Sequence, residues 1–130
     1  HGLCIAIAMP HIVRFNAKLP EKLAMWPHYT TYRAKHDYAT IARFVGINGN
    51  NDDELVEALV QKIIKLSHDC GVTLSLKANG VDKADFDRKV DQLAVLAYED
   101  QCTTTNPVEP LVSQLKTIFE DCYLGKNVEK

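Results

Sequence analysis

Glycine-rich turns able to cradle a phosphate, long apolar runs and an excess of charge of either sign are all missing from this sequence of 130 residues. Neither GxGxxG nor GxxxxGK[ST] occurs, so nothing in the chain binds a dinucleotide by itself. The longest nearly apolar stretch, Leu3 to Val13, contains Pro10 and His11 and falls well short of the roughly 20 residues that span a bilayer. A membrane is therefore not an expected partner. With 15 basic and 17 acidic residues, for a formal charge of -2, there is no cationic surplus to neutralise a phosphate backbone, and nucleic acid is not expected either. The four cysteines, Cys4, Cys70, Cys102 and Cys122, form no CxxC pair and no dense framework, which points to reduced thiols and a cytoplasmic setting.

What is present is enough for one core. A composition of 46% hydrophobic and 25% charged residues is that of a folding chain of about one domain's length. Apolar residues recur at helical spacing almost throughout. From Asp53 to Cys70, Leu55, Leu59, Ile63, Leu66 and Cys70 make one stripe, widened by Val56, Val60 and Ile64. Asn51 and Glu54 are spaced as a capping box, and Gly71 offers a left-handed stop. A second helix is predicted from Asp82, as N-cap, to about Asp100, with Phe86, Val90, Leu93 and Ala97 inward. A third starts near Pro107 to Pro110, carries Leu111, Leu115, Ile118 and Cys122, and ends at Gly125. A short helix covers Lys35 to Val45. Leu3 to Asn16 reads as a helix apolar on nearly all sides, hence surrounded by protein, with Pro10 kinking or breaking it. Residues 17 to 34, with Trp26, Tyr29 and Tyr32, read as an irregular aromatic arm. Only Val72 to Leu76 looks extended. The expected fold is a single all-α helical bundle over residues 1–130.

Reactive residues are few. His1, His11, His28, His36 and His68 contain no HExxH or other close ligand pair, so spacing alone supports no metal site. Cys102 has no histidine near it in sequence and reads as a buried cysteine at a helix end rather than a nucleophile. The run Thr103-Thr104-Thr105-Asn106-Pro107 reads as a turn and helix cap. The chain opens on His1, inside what reads as structured sequence, and the expectation is a fragment with further polypeptide upstream.

The two ends of the chain carry a resemblance. His1-Gly2-Leu3-Cys4-Ile5-Ala6-Ile7-Ala8-Met9-Pro10-His11-Ile12-Val13-Arg14-Phe15-Asn16 resembles the HG-x-x-N-A-I-x-x-P-H-V-x-x-F-N segment of the iron-containing (group III) alcohol dehydrogenases. Asp100-Gln101-Cys102-Thr103-Thr104-Thr105-Asn106-Pro107 is similar to the D-x-C-x-x-x-N-P-R loop of that family. Glu99 through Thr103, with Pro110-Leu111-Val112 and Tyr38 through Ala42, resembles the alcohol dehydrogenase part of bifunctional aldehyde-alcohol dehydrogenases. Ile5 and Val108 depart from the family's Asn and Arg.

The resemblance implies an N-terminal α/β part that binds NAD and a C-terminal all-α part that holds one Fe2+, or Zn2+, through an aspartate and three histidines. One of those histidines falls on His1, with the other ligands upstream. Cys102 falls where the family's cysteine lines the cleft near nicotinamide and substrate, a wall rather than a nucleophile, and His11 is structural. No catalytic residue lies in the chain by this reading. The implied activity is acetaldehyde and ethanol interconversion in an enzyme that takes acetyl-CoA to ethanol. The chain alone should be inactive and hold no metal or NAD tightly. Its partners should be the rest of the parent enzyme and further copies, in a homo-oligomer or filament. The alternative is a non-catalytic helical interaction or assembly module.

Overall fold

The computed structural model describes residues 1–20 and 31–129, and every regular element among them is helical. Five α-helices run Gly2–Ala17 (α1), Ala34–Phe44 (α2), Asp52–Asp69 (α3), Lys83–Glu99 (α4) and Val112–Leu124 (α5), with a 3-10 turn at Gln101–Thr105. The all-α expectation holds. Trp26, Pro27, His28 and Tyr29 lie outside the described residues.

Local chemistry sets most helix ends. The Asn51 side chain accepts from the Glu54 backbone N–H at 2.9 Å and the Asp82 carboxylate accepts from Asp85 at 3.0 Å, so both predicted N-caps form. The capping box is displaced by one residue: the Glu54 carboxylate reaches back to the Asn50 N–H at 2.9 Å instead of that of Asn51. Gly71 and Gly125 take φ of +76° and +68° after α3 and α5, the left-handed conformation that a side chain disfavours. At Gly125 space adds a second demand, since a Cβ would lie 2.8 Å from the Glu129 side chain.

Three expectations change. Helix α1 runs unbroken through Pro10, whose side chain is fully buried. Packing around this turn holds the helix despite the missing backbone bond, which costs about 3 kcal/mol in an unsupported helix interior. Secondly, the described residues supply only part of the cover expected around α1. Residues 1–5 are exposed, as is Met9, and the helix enters the core only from Ile7 onward. Thirdly, α5 starts at Val112 rather than at the prolines, because Gln114 accepts the Leu111 N–H at 2.8 Å and closes the first turn there. Pro107 and Pro110 belong to the approach.

The core is a seam between α1, α3 and α5. Ile7, Val13 and Ala17 of α1 meet Val56, Val60 and Ile64 of α3, together with Cys122 of α5, Leu74 and Val128. Ala39 and Ala42 of α2 pack on Leu55 and Leu59 of α3. Phe86 and Val90 of α4 pack on Tyr123, with the Phe86 and Tyr123 rings stacked at 4.4 Å. The segment after α3, expected to be extended, passes through the interior without pairing as a strand. Leu76 and Lys77 donate to the Cys122 and Tyr123 carbonyls, and Ser75 Oγ donates to Tyr123. Carbonyls that the end of α5 leaves free are thus satisfied by this crossing segment.

Truncating the fully buried Leu55 to alanine is expected to destabilise the chain by about 2–5 kcal/mol. Asn51→Ala, which removes only the cap of the same helix, should cost about 1 kcal/mol. Urea unfolding of both variants checks the ranking, and equal losses would contradict it.

Candidate functional site

The two sequence motifs occupy different ends of α1. His1 is the N-cap residue and is exposed, with no side-chain bond into the helix; its carbonyl accepts from Ile5 at 3.2 Å. Ile5 and Met9, four and eight residues on, follow it on one exposed helical face. Where the resemblance places an asparagine, Ile5 presents an exposed apolar side chain instead.

Within the same motif His11 is buried, and its Nε2 meets no hydrogen-bond partner. Burial pushes the imidazole pKa below 6.5, with Arg14 and Lys126 acting in the same direction and Asp121 opposing. Its neighbour Arg14 forks onto the Glu57 carboxylate at 3.0 and 2.6 Å and donates to the Asn127 carbonyl at 3.3 Å. That fork joins α1, α3 and the C-terminal residues, and it holds the Glu57 carboxyl below the usual carboxylate range.

The other motif is built around the 3-10 turn. Asp100 accepts from the Cys102 N–H at 2.7 Å, Thr103 Oγ1 donates to the Ala97 carbonyl at 2.6 Å, and Thr105 Oγ1 donates to Cys102 at 2.8 Å. Cys102 itself is exposed, which corrects the expectation of a buried helix-end cysteine. Because α4 ends at Glu99, the residue sits on a surface turn rather than on a helix face turned inward. A hydrogen bond to Asp100, reinforced by that carboxylate's charge, raises the thiol pKa. A raised thiol pKa disfavours a nucleophilic role. Cys4 and Cys70 are also exposed, and only Cys122 is buried, its pKa pushed up to about 12 by desolvation.

The Asn106 backbone N–H closes the 3-10 turn on the Thr103 carbonyl at 3.1 Å, while its side chain reaches away from the turn. Its Nδ2 donates to Asn16 Oδ1 at 2.8 Å and its Oδ1 accepts from Asn16 Nδ2 at 3.0 Å, a reciprocal amide pair across 90 residues of sequence. The same Nδ2 reaches the Val108 carbonyl at 2.6 Å. Asn16, almost fully buried, also donates to Tyr38 Oη at 3.4 Å, and its carbonyl accepts from Tyr32 Oη at 2.7 Å. Spacing and periodicity give no sign of this pairing. The one available clue is that both residues lie in the motif segments.

The structure therefore ties the Cys102 turn to the C-terminal end of α1, while His1 stands at the start of that helix. His1 and Asn16 are about 22 Å apart at 1.5 Å per residue. Among the described residues no bond joins His1 to Cys102, and no three His, Cys, Asp or Glu side chains gather as a metal cluster. An apolar groove of about 500 Å³ opens beside the first half of α1, lined in part by Cys4, Ile7, Phe86, Leu93, Phe119 and Cys122. No helix among the described residues is long and apolar enough to cross a membrane.

This is an all-helical chain with an HG segment opening one helix and a D-x-C turn bonded through Asn106 to that helix's far end. Its sequence matches the Fe-containing alcohol dehydrogenase family, C-terminal, over residues 1–123. The chain belongs to this iron-containing alcohol dehydrogenase family. It is 37% identical over 125 residues to the aldehyde-alcohol dehydrogenase of Streptococcus pneumoniae D39, covering 96% of this chain and 14% of that protein. It is 35% identical to the bifunctional aldehyde-alcohol dehydrogenase of Escherichia coli K12, covering 98% of this chain and 15% of that protein. An iron-containing alcohol dehydrogenase structure from Thermococcus thioreducens superposes with a TM-score of 0.70 at 30% identity, covering 95% of this chain and 28% of the other. The chain thus spans about one seventh of the length of these bifunctional relatives.

Since His11 holds fewer protons folded than unfolded as pH falls below 6.5, it subtracts stability on the acid side of that value. The urea midpoint is expected to fall between about pH 7.5 and about pH 5, and His11→Gln should flatten that fall. An unchanged slope in the variant would show that His11 is not its source.

Proposed function

We propose that this chain is the C-terminal helical segment of an iron-dependent, NAD-linked alcohol dehydrogenase that interconverts acetaldehyde and ethanol. The parent is a bifunctional aldehyde-alcohol dehydrogenase acting in the cytoplasm. The in-order similarity to such enzymes across nearly the whole chain carries the reading, with both motif ends included.

In this reading His1 is one metal ligand, and the remaining ligands and the NAD-binding part come from polypeptide outside these residues. The donor chemistry fits: a neutral imidazole suits iron or zinc, and an exposed first turn leaves the ring free to join donors from elsewhere. When bound, the metal polarises the substrate oxygen as a Lewis acid. This chain contributes placement. Helix α1 presents His1 from a turn anchored by the buried residues that follow, and the Asp100-bound Cys102 thiol forms a protonated wall of the nicotinamide cleft.

Exposed Leu3, Ile5 and Met9 are an apolar surface suited to packing against the rest of the enzyme. The same surface favours the second reading, a helical assembly module, and a further copy in a homo-oligomer is the partner that reading requires. Extending the chain upstream separates the two. Gain of metal binding and ethanol oxidation supports the enzyme, whereas specific self-association of the short chain with no gain on extension supports the module.

In the complete enzyme His1→Ala is expected to lose most of its iron or zinc and most ethanol-dependent NAD reduction while far-UV helicity stays unchanged. Retention of metal and turnover would overturn the ligand assignment, as would tight stoichiometric metal binding by the 130-residue chain alone.

A further inference from the structure

Bonds from Asp100 to Cys102 and from Thr105 to Cys102 shape the Cys102 turn, and Thr103 ties it to Ala97 in the last turn of α4. Asn106 ties it to α1. Its amide and that of Asn16 exchange two hydrogen bonds, each amide donating to and accepting from the other, and the remaining Asn16 proton goes to Tyr38. The Asn106 nitrogen completes its pair of bonds on Val108, a buried residue that keeps the following strand of chain against the bundle. Each donor in this pair has an acceptor. An aspartate at either position would lose donors, and a hydrophobic residue would leave its partner's amide buried without one.

A pair so completely satisfied admits few alternative geometries, which is the condition for holding a neighbouring loop in one position. Asn16 is further fixed from the other side, because its carbonyl receives Tyr32 Oη. The placement of the turn is thereby referred to α1, the helix that begins at His1.

We infer that Asn16 and Asn106 act together as positioning residues for Cys102, their reciprocal amide pair fixing where the thiol-bearing turn sits against the end of α1. For catalysis this rests on the proposed function, in which Cys102 lines the nicotinamide cleft: the amide pair then sets one wall of the cofactor site from a distance. The clamp itself is a property of this chain and is tested on it.

Three exposed cysteines and one buried one provide the readout. In the 130-residue chain, iodoacetamide alkylation followed cysteine by cysteine by mass spectrometry should show Cys102 reacting roughly threefold or more faster in Asn16→Ala and in Asn106→Ala, as the turn loosens from α1. Cys4 and Cys70 should keep their rates. The double variant should react no faster than either single one, since both remove the same interaction. Cys122 reports unfolding, as it is labelled only if the core opens. Should an alanine variant unfold, Asn106→Leu, which fills the volume without the amide, takes its place with the same expectation. An unchanged Cys102 rate in folded variants, or additive effects, overturns the inference.

The complete enzyme supplies the second arm. Asn106→Ala is expected to raise KM for NADH about tenfold with kcat and metal content little changed, because a displaced wall weakens cofactor placement without touching the metal ligands. If the thiol responds in the chain while KM for NADH does not move, the clamp stands and the assignment of Cys102 to the nicotinamide cleft falls.

Discussion

Burial of one face of α1 against α3 and α5 is the constraint on which the remaining arrangement depends. Ile7, Val13 and Ala17 lie in the same apolar cluster as Val56, Val60, Ile64 and Cys122, so the axis of α1 is set by contacts along most of its length. Each buried aliphatic side chain in such a seam contributes about 1.5–3 kcal/mol relative to exposure. This explains how a helix with a proline at its centre stays continuous. It also explains why the first turn can project without cover: the residues after it hold the direction.

Polar contacts then refine what the seam positions. The Arg14 fork to Glu57 and the Asn16 pair with Asn106 leave α1 in different directions, one toward α3 and the C-terminal residues, the other toward the Cys102 turn. The first is partly exposed and modest in energy. The second is largely buried, so a broken partner would leave an unsatisfied amide. Of the two, the amide pair has the greater power to specify a single geometry.

The division of labour follows from these contacts. One end of α1 offers an imidazole to solvent, ahead of a row of apolar residues that stay partly exposed. The other end receives a surface turn whose thiol pKa is raised by the adjacent Asp100 carboxylate. Neither end is a site by itself. Both are referred to one rigid helix, so their spacing is fixed by it.

Helical periodicity, caps and stops made the bundle legible in the sequence: Asn51, Asp82, Gly71 and Gly125 act where local chemistry says they should, because a cap or a left-handed glycine depends on its immediate neighbours. The family was legible too, since motif segments are contiguous. The fate of Pro10, the exposure of Cys102, the true start of α5 and the Asn16–Asn106 pair were not. Whether Pro10 breaks a helix depends on how strongly its flanks are packed, and whether Cys102 faces inward depends on where α4 stops. Which partner a buried asparagine chooses is settled by two segments meeting across 90 residues. The sequence by itself determined the helices and the family, through forces that act within a few residues; only tertiary structure decided which end of α1 meets which motif, because long-range contact has no local signature.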